Sequence, residues 1–143
     1  MMRYELHISK EDILQLQDHA EMNLPEESVA LIFGTISENI VRANRVELVE
    51  NESKSRHTTF SVNPELEYQL LVESEERGEE LVGIFHSHPA PPKPSKTDLR
   101  NMKLNPVVWV ISSKLTGSWI SKAHVLQNGI SAEIPIRIQN SIS

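Results

Sequence analysis

At 143 residues the chain fits one domain, 1–143, with a single hydrophobic core. It has no cysteine, which excludes a disulfide, a thiolate nucleophile and Cys-ligated zinc, and its formal net charge of −6 argues against a general nucleic-acid binder. The N-terminus, Met1-Met2-Arg3-Tyr4-Glu5-Leu6, has no apolar signal core and no run approaches a membrane span, so a soluble cytoplasmic protein with no membrane partner is expected.

Ser9-Lys10-Glu11-Asp12 opens a first helix, with Ser9 as its cap and two acids in its first turn. Ile13, Leu16 and Ala20 fall at helical spacing, with Leu14 beside them, and Asn23-Leu24-Pro25 ends the helix. Glu26 to Phe33 reads as a short helical entry into a buried strand that stops at Gly34. Asn44 to Glu50 alternates as a second strand. Glu50 to Thr59 contains no apolar residue and is expected to be an exposed loop or a hairpin tip, followed by a brief strand at Phe60 and Val62. Asn63-Pro64 starts a helix that runs to about Arg77 and stops at Gly78, with Leu66, Leu70 and Leu71 facing the core.

Leu81 to His86 is a strand, Ser95 to about Lys103 a short helix, and Val107 to Ser112 another strand. Two more strands are expected at Ser118 to Val125 and Ala132 to Ile138. The sum is a mixed α/β domain of the α+β type, one mostly antiparallel sheet flanked by helices.

The most informative stretch is His86-Ser87-His88-Pro89 followed by Ser95-Lys96-Thr97-Asp98. On a strand, residues two apart share a face, so His86 and His88 project together. The Pro-rich loop Pro89 to Pro94 returns the chain, and Asp98 sits in the first turn of the next helix. Two imidazoles and one carboxylate suit Zn²⁺, which in catalytic sites takes three protein ligands and keeps a fourth position for water. Ser95 and Asp98 equally fit an ordinary helix cap, and a capped helix is a good mount for a ligand. His7, His19, His57 and His124 have no partner at ligand spacing and read as surface or partly buried side chains. Ser87 points to the opposite face, where its hydroxyl can brace neighbouring backbone.

These residues resemble the JAMM (MPN+) metalloprotease family, whose pattern is an early glutamate, then His-x-His, then a loop to Ser-x-x-Asp. Glu27 to Gly34 resembles the family's glutamate segment, which ends in a glycine seven residues after the acid. The order of elements matches over nearly the whole chain. Two departures stand out: six residues separate His88 from Ser95 where the family has seven, and Ala30 stands where many members have glycine. The stretch from Leu104 onwards also lacks the long second insertion of some members.

The resemblance implies an MPN/cytidine-deaminase-like fold and a deubiquitinase-like isopeptidase. His86, His88 and Asp98 would bind Zn²⁺, Glu27 would be the general base and Ser95 would stabilise the oxyanion. Without the family, Glu27 reads first as a solvated acid at a helix start after Pro25; the family spacing reverses that reading and selects Glu27 over Glu26. The implied partners are ubiquitin or a ubiquitin-like modifier and its conjugates, with the proteasome as a further expectation. The segment Glu50 to Thr59 corresponds to one that pairs with an extended substrate tail by strand addition. Competing readings are a metallohydrolase for a small-molecule amide and a non-catalytic MPN scaffold.

Overall fold

The computed structural model describes residues 3–56, 59–115 and 117–140. Its strands are β1 (Glu5–Ser9), β2 (Val29–Ser37), β3 (Ile40–Val49), β4 (Glu80–Ser87), β5 (Val108–Ser113), β6 (Ile120–Gln127), β7 (Ile130–Ile134) and β8 (Ile136–Gln139). Three helices, α1 (Lys10–Asn23), α2 (Pro64–Glu76) and α3 (Lys96–Leu104), complete the element order. All the strands join one sheet in the order β7-β6-β5-β4-β2-β3-β1-β8. The β2–β3, β2–β4, β5–β6 and β6–β7 pairs are antiparallel, while β4–β5, β1–β3 and β1–β8 are parallel. This is the expected mixed, mostly antiparallel sheet flanked by helices.

The sheet buries both faces, which is why its central strands are apolar on successive residues. On one face Ile13, Leu16 and Ala20 of α1 pack with Ile8, Ile32, Val82 and Phe85. On the other, Leu70 of α2 and Met102 of α3 pack with Leu31, Phe33, Ile84 and Trp109. The helix starts follow the sequence: Ser9 Oγ accepts from Asp12 N–H at 3.0 Å, and Asn63 Oδ1 accepts from Glu65 and Leu66 N–H at 2.9 and 3.1 Å.

Several sequence expectations are corrected. No helix enters β2; residues 24–28 lead straight into it, and Glu27 N–H bonds to Arg56 O rather than along a helix. β2 does not stop at Gly34 but passes it with a register shift against β3 between Phe33 and Gly34, and β3 correspondingly begins at Ile40, not Asn44. Glu5–Ser9 is a strand where none is expected, and Phe60 and Val62 join no strand. The expected strand Ala132 to Ile138 is divided at Pro135 into β7 and β8, which occupy opposite edges of the sheet. On α2 only Leu70 and Ser74 are buried; Leu66 and Leu71 are about as exposed as Val72. The polar stretch after β3 is not wholly exposed either, because Asn51 is buried.

Candidate metal centre

The candidate site sits at the end of β4, beside the start of β2 and the first turn of α3. Strand alternation puts His86 on the same face as Ile84, where the ring is fully buried. Phe60 lies tilted against it with ring centroids 5.0 Å apart, and Trp109 meets it edge-on at 6.0 Å. His88 continues the strand by one rung, its N–H donating to Ser112 O at 2.8 Å, and its ring stands 5.5 Å from that of His86. Each imidazole has a carbonyl at Nδ1: Ser87 O at 3.1 Å from His86 and Pro91 O at 3.3 Å from His88. An Nδ1–H held by a carbonyl leaves Nε2 as the free donor atom, the arrangement that orients metal-binding histidines.

Asp98 arrives from α3 through a reciprocal cap. Ser95 Oγ accepts from Asp98 N–H at 3.0 Å, and Asp98 Oδ2 accepts from Ser95 N–H at 2.9 Å. The cap fixes the carboxylate so that Oδ1 lies 3.2 Å from His86 Nε2, with Oδ2 3.9 Å from His88 Nε2. Helix cap and converging carboxylate are therefore one arrangement, and the short Pro-rich loop does not turn Asp98 away. Glu27, 3% exposed, reaches the ring from the other edge, its Oε1 3.2 Å from His86 Nδ1.

Two imidazoles and a carboxylate are donors of the kind that suit a small divalent cation, but among the described residues no three of them are gathered closely enough to hold one. His86 Nε2 is buried without a hydrogen-bond partner, with Asp98 Oδ1 3.2 Å away. Donors about 2.0–2.1 Å from a tetrahedral zinc lie about 3.3 Å from one another, close to the 3.2 Å between Asp98 Oδ1 and His86 Nε2. His88 stands wider, its Nε2 3.9 Å from Asp98 Oδ2. Burial alone would push the His86 pKa down, but the carboxylates of Asp98 and Glu27 overcome it and raise it to about 9. Burial would raise Asp98, yet the His86 ring and the Ser95 N–H hold it below the usual carboxylate range. Two carboxylates converging on one ring call for a positive charge, which either a proton or a cation supplies.

Glu27 and His88 face an open cleft of about 120 Å³, walled by Leu24, Pro25, Leu115 and Trp119; His86 and Asp98 are buried and do not line it. Residues that sequence reasoning did not single out support this arrangement. Ser28 donates to Ser87 Oγ from both its N–H and its hydroxyl, at 2.8 and 3.0 Å, which is the bracing expected of Ser87. His124, buried on β6, has Nε2 3.0 Å from Pro92 O and so pins the loop that leads to Ser95; burial holds its pKa below the usual value. His7 pairs with Glu5, and the His19 ring lies 3.0 Å from Val29 O, so neither joins the cluster. His57 lies outside the described residues.

The family model for prokaryotic homologs of the JAB domain matches residues 9–123. A desampylase of Pyrococcus furiosus is 44% identical over 71 residues, which make up 49% of this chain and 50% of the relative. The match thus spans about half the length of that curated relative. A protein of Desulfitobacterium hafniense has a solution structure that aligns with a TM-score of 0.83 at 24% identity, over 96% of this chain and 94% of that one. A second, from Salinibacter ruber, aligns at 0.68 and 21%, over 93% and 91%. Both share the fold. On the extent of the family match, the chain belongs to the prokaryotic homologs of the JAB domain, within the JAMM/MPN family.

Proposed function

We propose that this protein is a zinc-dependent isopeptidase that removes ubiquitin or a ubiquitin-like modifier from protein conjugates, with residues 1–143 acting as one catalytic domain. The observation that carries the reading is the meeting of Asp98 Oδ1 with the buried Nε2 of His86 at 3.2 Å, in contact with Glu27 and His88, which line an open cleft. Family membership and the similarity to a desampylase support both the hydrolytic chemistry and the class of substrate.

His86, His88 and Asp98 would hold the zinc. When bound, zinc supplies Lewis acidity and a nucleophile of hydroxide strength near neutral pH. Glu27 accepts a proton on its carboxylate and returns it to the leaving amine, help worth about 10²- to 10⁴-fold. Ser95 Oγ accepts from Asp98 N–H, which leaves its own O–H free to donate to the carbonyl oxygen as charge develops there. Phe60 and Trp109 close off the far side of His86, and the lower local dielectric strengthens the charge interactions in front of it. The flexible Gly-Gly tail of the modifier lies along the segment after β3, held by main-chain hydrogen bonds.

The test is incubation of zinc-loaded protein with ubiquitin-like modifiers fused through Gly-Gly to a second protein, with and without chelator, read by product mass. Cleavage after the second glycine that chelator stops and zinc restores is the expected result. Activity confined to small amides would replace the substrate class, and no hydrolysis of any amide would remove the enzyme reading.

A further inference from the structure

Asn51 lies two residues beyond the end of β3 and is only 6% exposed. In the antiparallel register Val29 pairs with Val49, so continuing by two residues sets Asn51 opposite Glu27. At that position a side chain replaces the backbone rung. Asn51 Nδ2 donates to Glu27 O at 2.8 Å and to Thr59 O at 2.9 Å. Its Oδ1 accepts from Ser53 N–H and Ser61 N–H, both at 3.0 Å. An asparagine amide offers two donors and two acceptor sites, and all of them are used.

The second hold on Glu27 runs through the same residue. Glu27 N–H donates to Arg56 O at 2.7 Å, and Arg56 Nε donates to Asn51 O at 3.0 Å. Both backbone groups of Glu27 thus depend on this segment, one directly on the Asn51 amide and one through Arg56. The carboxylate stands 3.2 Å from His86 Nδ1 as a consequence of where this backbone is fixed.

We infer that Asn51 is a positioning residue: its amide stands in for the missing ladder rung, fixes Glu27 against His86 and docks the segment after β3 beside the site. The catalytic consequence rests on the isopeptidase reading; the anchoring of Glu27 does not. A general base must be held within hydrogen-bond reach of the proton it takes, and a displacement of about 1 Å costs on the order of 100-fold.

The experiment uses the zinc-loaded 143-residue chain as wild type, Asn51→Asp and Asn51→Ala. The aspartate keeps the size and both acceptor contacts but loses the two donors, and it carries the test if the alanine variant does not fold. The first measurement is residue-resolved amide hydrogen exchange. The Glu27 amide should lose protection in both variants while Leu31 and Ile84, in the core of β2 and β4, keep theirs. The second is steady-state cleavage of a modifier fusion with zinc content measured alongside. A fall in kcat of roughly 10- to 100-fold with KM and zinc content unchanged is expected. Wild-type protection of Glu27 in the aspartate variant, or an unchanged kcat beside an active wild type, overturns the inference. If the wild type itself cleaves nothing, the functional reading fails, and the exchange of the Glu27 amide still decides whether Asn51 anchors it.

Discussion

Ser87 Oγ accepts the backbone N–H of Ser28 at 2.8 Å, which fastens the segment carrying Glu27 to the strand that carries His86 and leads into His88. Ser28 and Ser87 are buried, at 1% and 3% exposure, so water does not reach this bond readily. Ser87→Ala removes the acceptor and strands the Ser28 N–H, at a cost of roughly 1–3 kcal/mol. A denaturant titration should show the unfolding free energy fall by that amount, with zinc content preserved because Ser87 donates nothing to a cation. An unchanged midpoint means the N–H finds another acceptor.

Asp98 caps α3 with one oxygen and faces His86 with the other, and two substitutions separate these roles. Asp98→Asn can keep an oxygen on Ser95 N–H, but its amide nitrogen cannot bind a cation. Asp98→Ala loses both contacts. Both variants lose the ion pair with His86, so the stability difference between them isolates the cap, about 0.5–2 kcal/mol. Zinc analysis should find both depleted. Zinc held by the asparagine variant as tightly as by wild type takes Asp98 out of the ligand set.

In the zinc-free protein the carboxylates of Asp98 and Glu27 outweigh the burial of His86 and raise its pKa from the usual 6.5 to about 9. Between those values the folded chain binds a proton that the unfolded chain has released. The associated stability is complete below pH 6.5 and is lost as pH rises through about 9. On the proposed ligand set a zinc ion would displace this proton, so its affinity should climb about tenfold per pH unit across the same window for one proton released. Melting temperatures of chelator-treated and zinc-loaded protein across this range check both signs. A zinc-free melting temperature that stays flat over the window contradicts a charged His86.

The parts legible in the sequence are those written by local physics. Ser9, Asn63 and Ser95 announce their helices because a cap needs only a short polar side chain and the free N–H groups after it. The His86–His88 pair is legible because strand period alone puts both rings on one face. What escapes is written by distant contacts. β1 alternates Leu6 and Ile8 over too few residues to stand out, and it exists because β3 and β8 pair with it. Pro135 cuts one apolar run into strands at opposite edges, a topology that no local pattern encodes. Asn51 is buried by hydrogen bonds within a stretch that has no apolar residue, so hydropathy reads it as solvent-facing. Glu27 resembles a helix-start acid because its true partners are 24 and 59 residues or more away in sequence.

Gly34 appears at first as a stop signal, yet β2 passes through it. A Cβ there would lie 1.7 Å from the Arg42 carbonyl oxygen, at the register shift between β2 and β3. Gly34→Ala must push the two strands apart at a buried position. A loss of about 3 kcal/mol is expected from chemical denaturation. A wild-type midpoint means that the shift relaxes at little cost.

Glu27→Gln is the sharpest test of the site's chemistry, because it changes charge and basicity while conserving shape. The glutamine oxygen can still face His86 Nδ1, where Glu27 Oε1 now stands at 3.2 Å, and the backbone anchors to Arg56 and Asn51 do not involve the side chain. His86, His88 and Asp98 remain available, so zinc content should match that of wild type. An amide cannot accept the proton, so kcat should fall by about 10²- to 10⁴-fold with KM little altered. A stable, zinc-loaded variant that cleaves conjugates at the wild-type rate would show that the proton goes elsewhere, and Glu27 would then be only the buried charge that helps hold His86 in place.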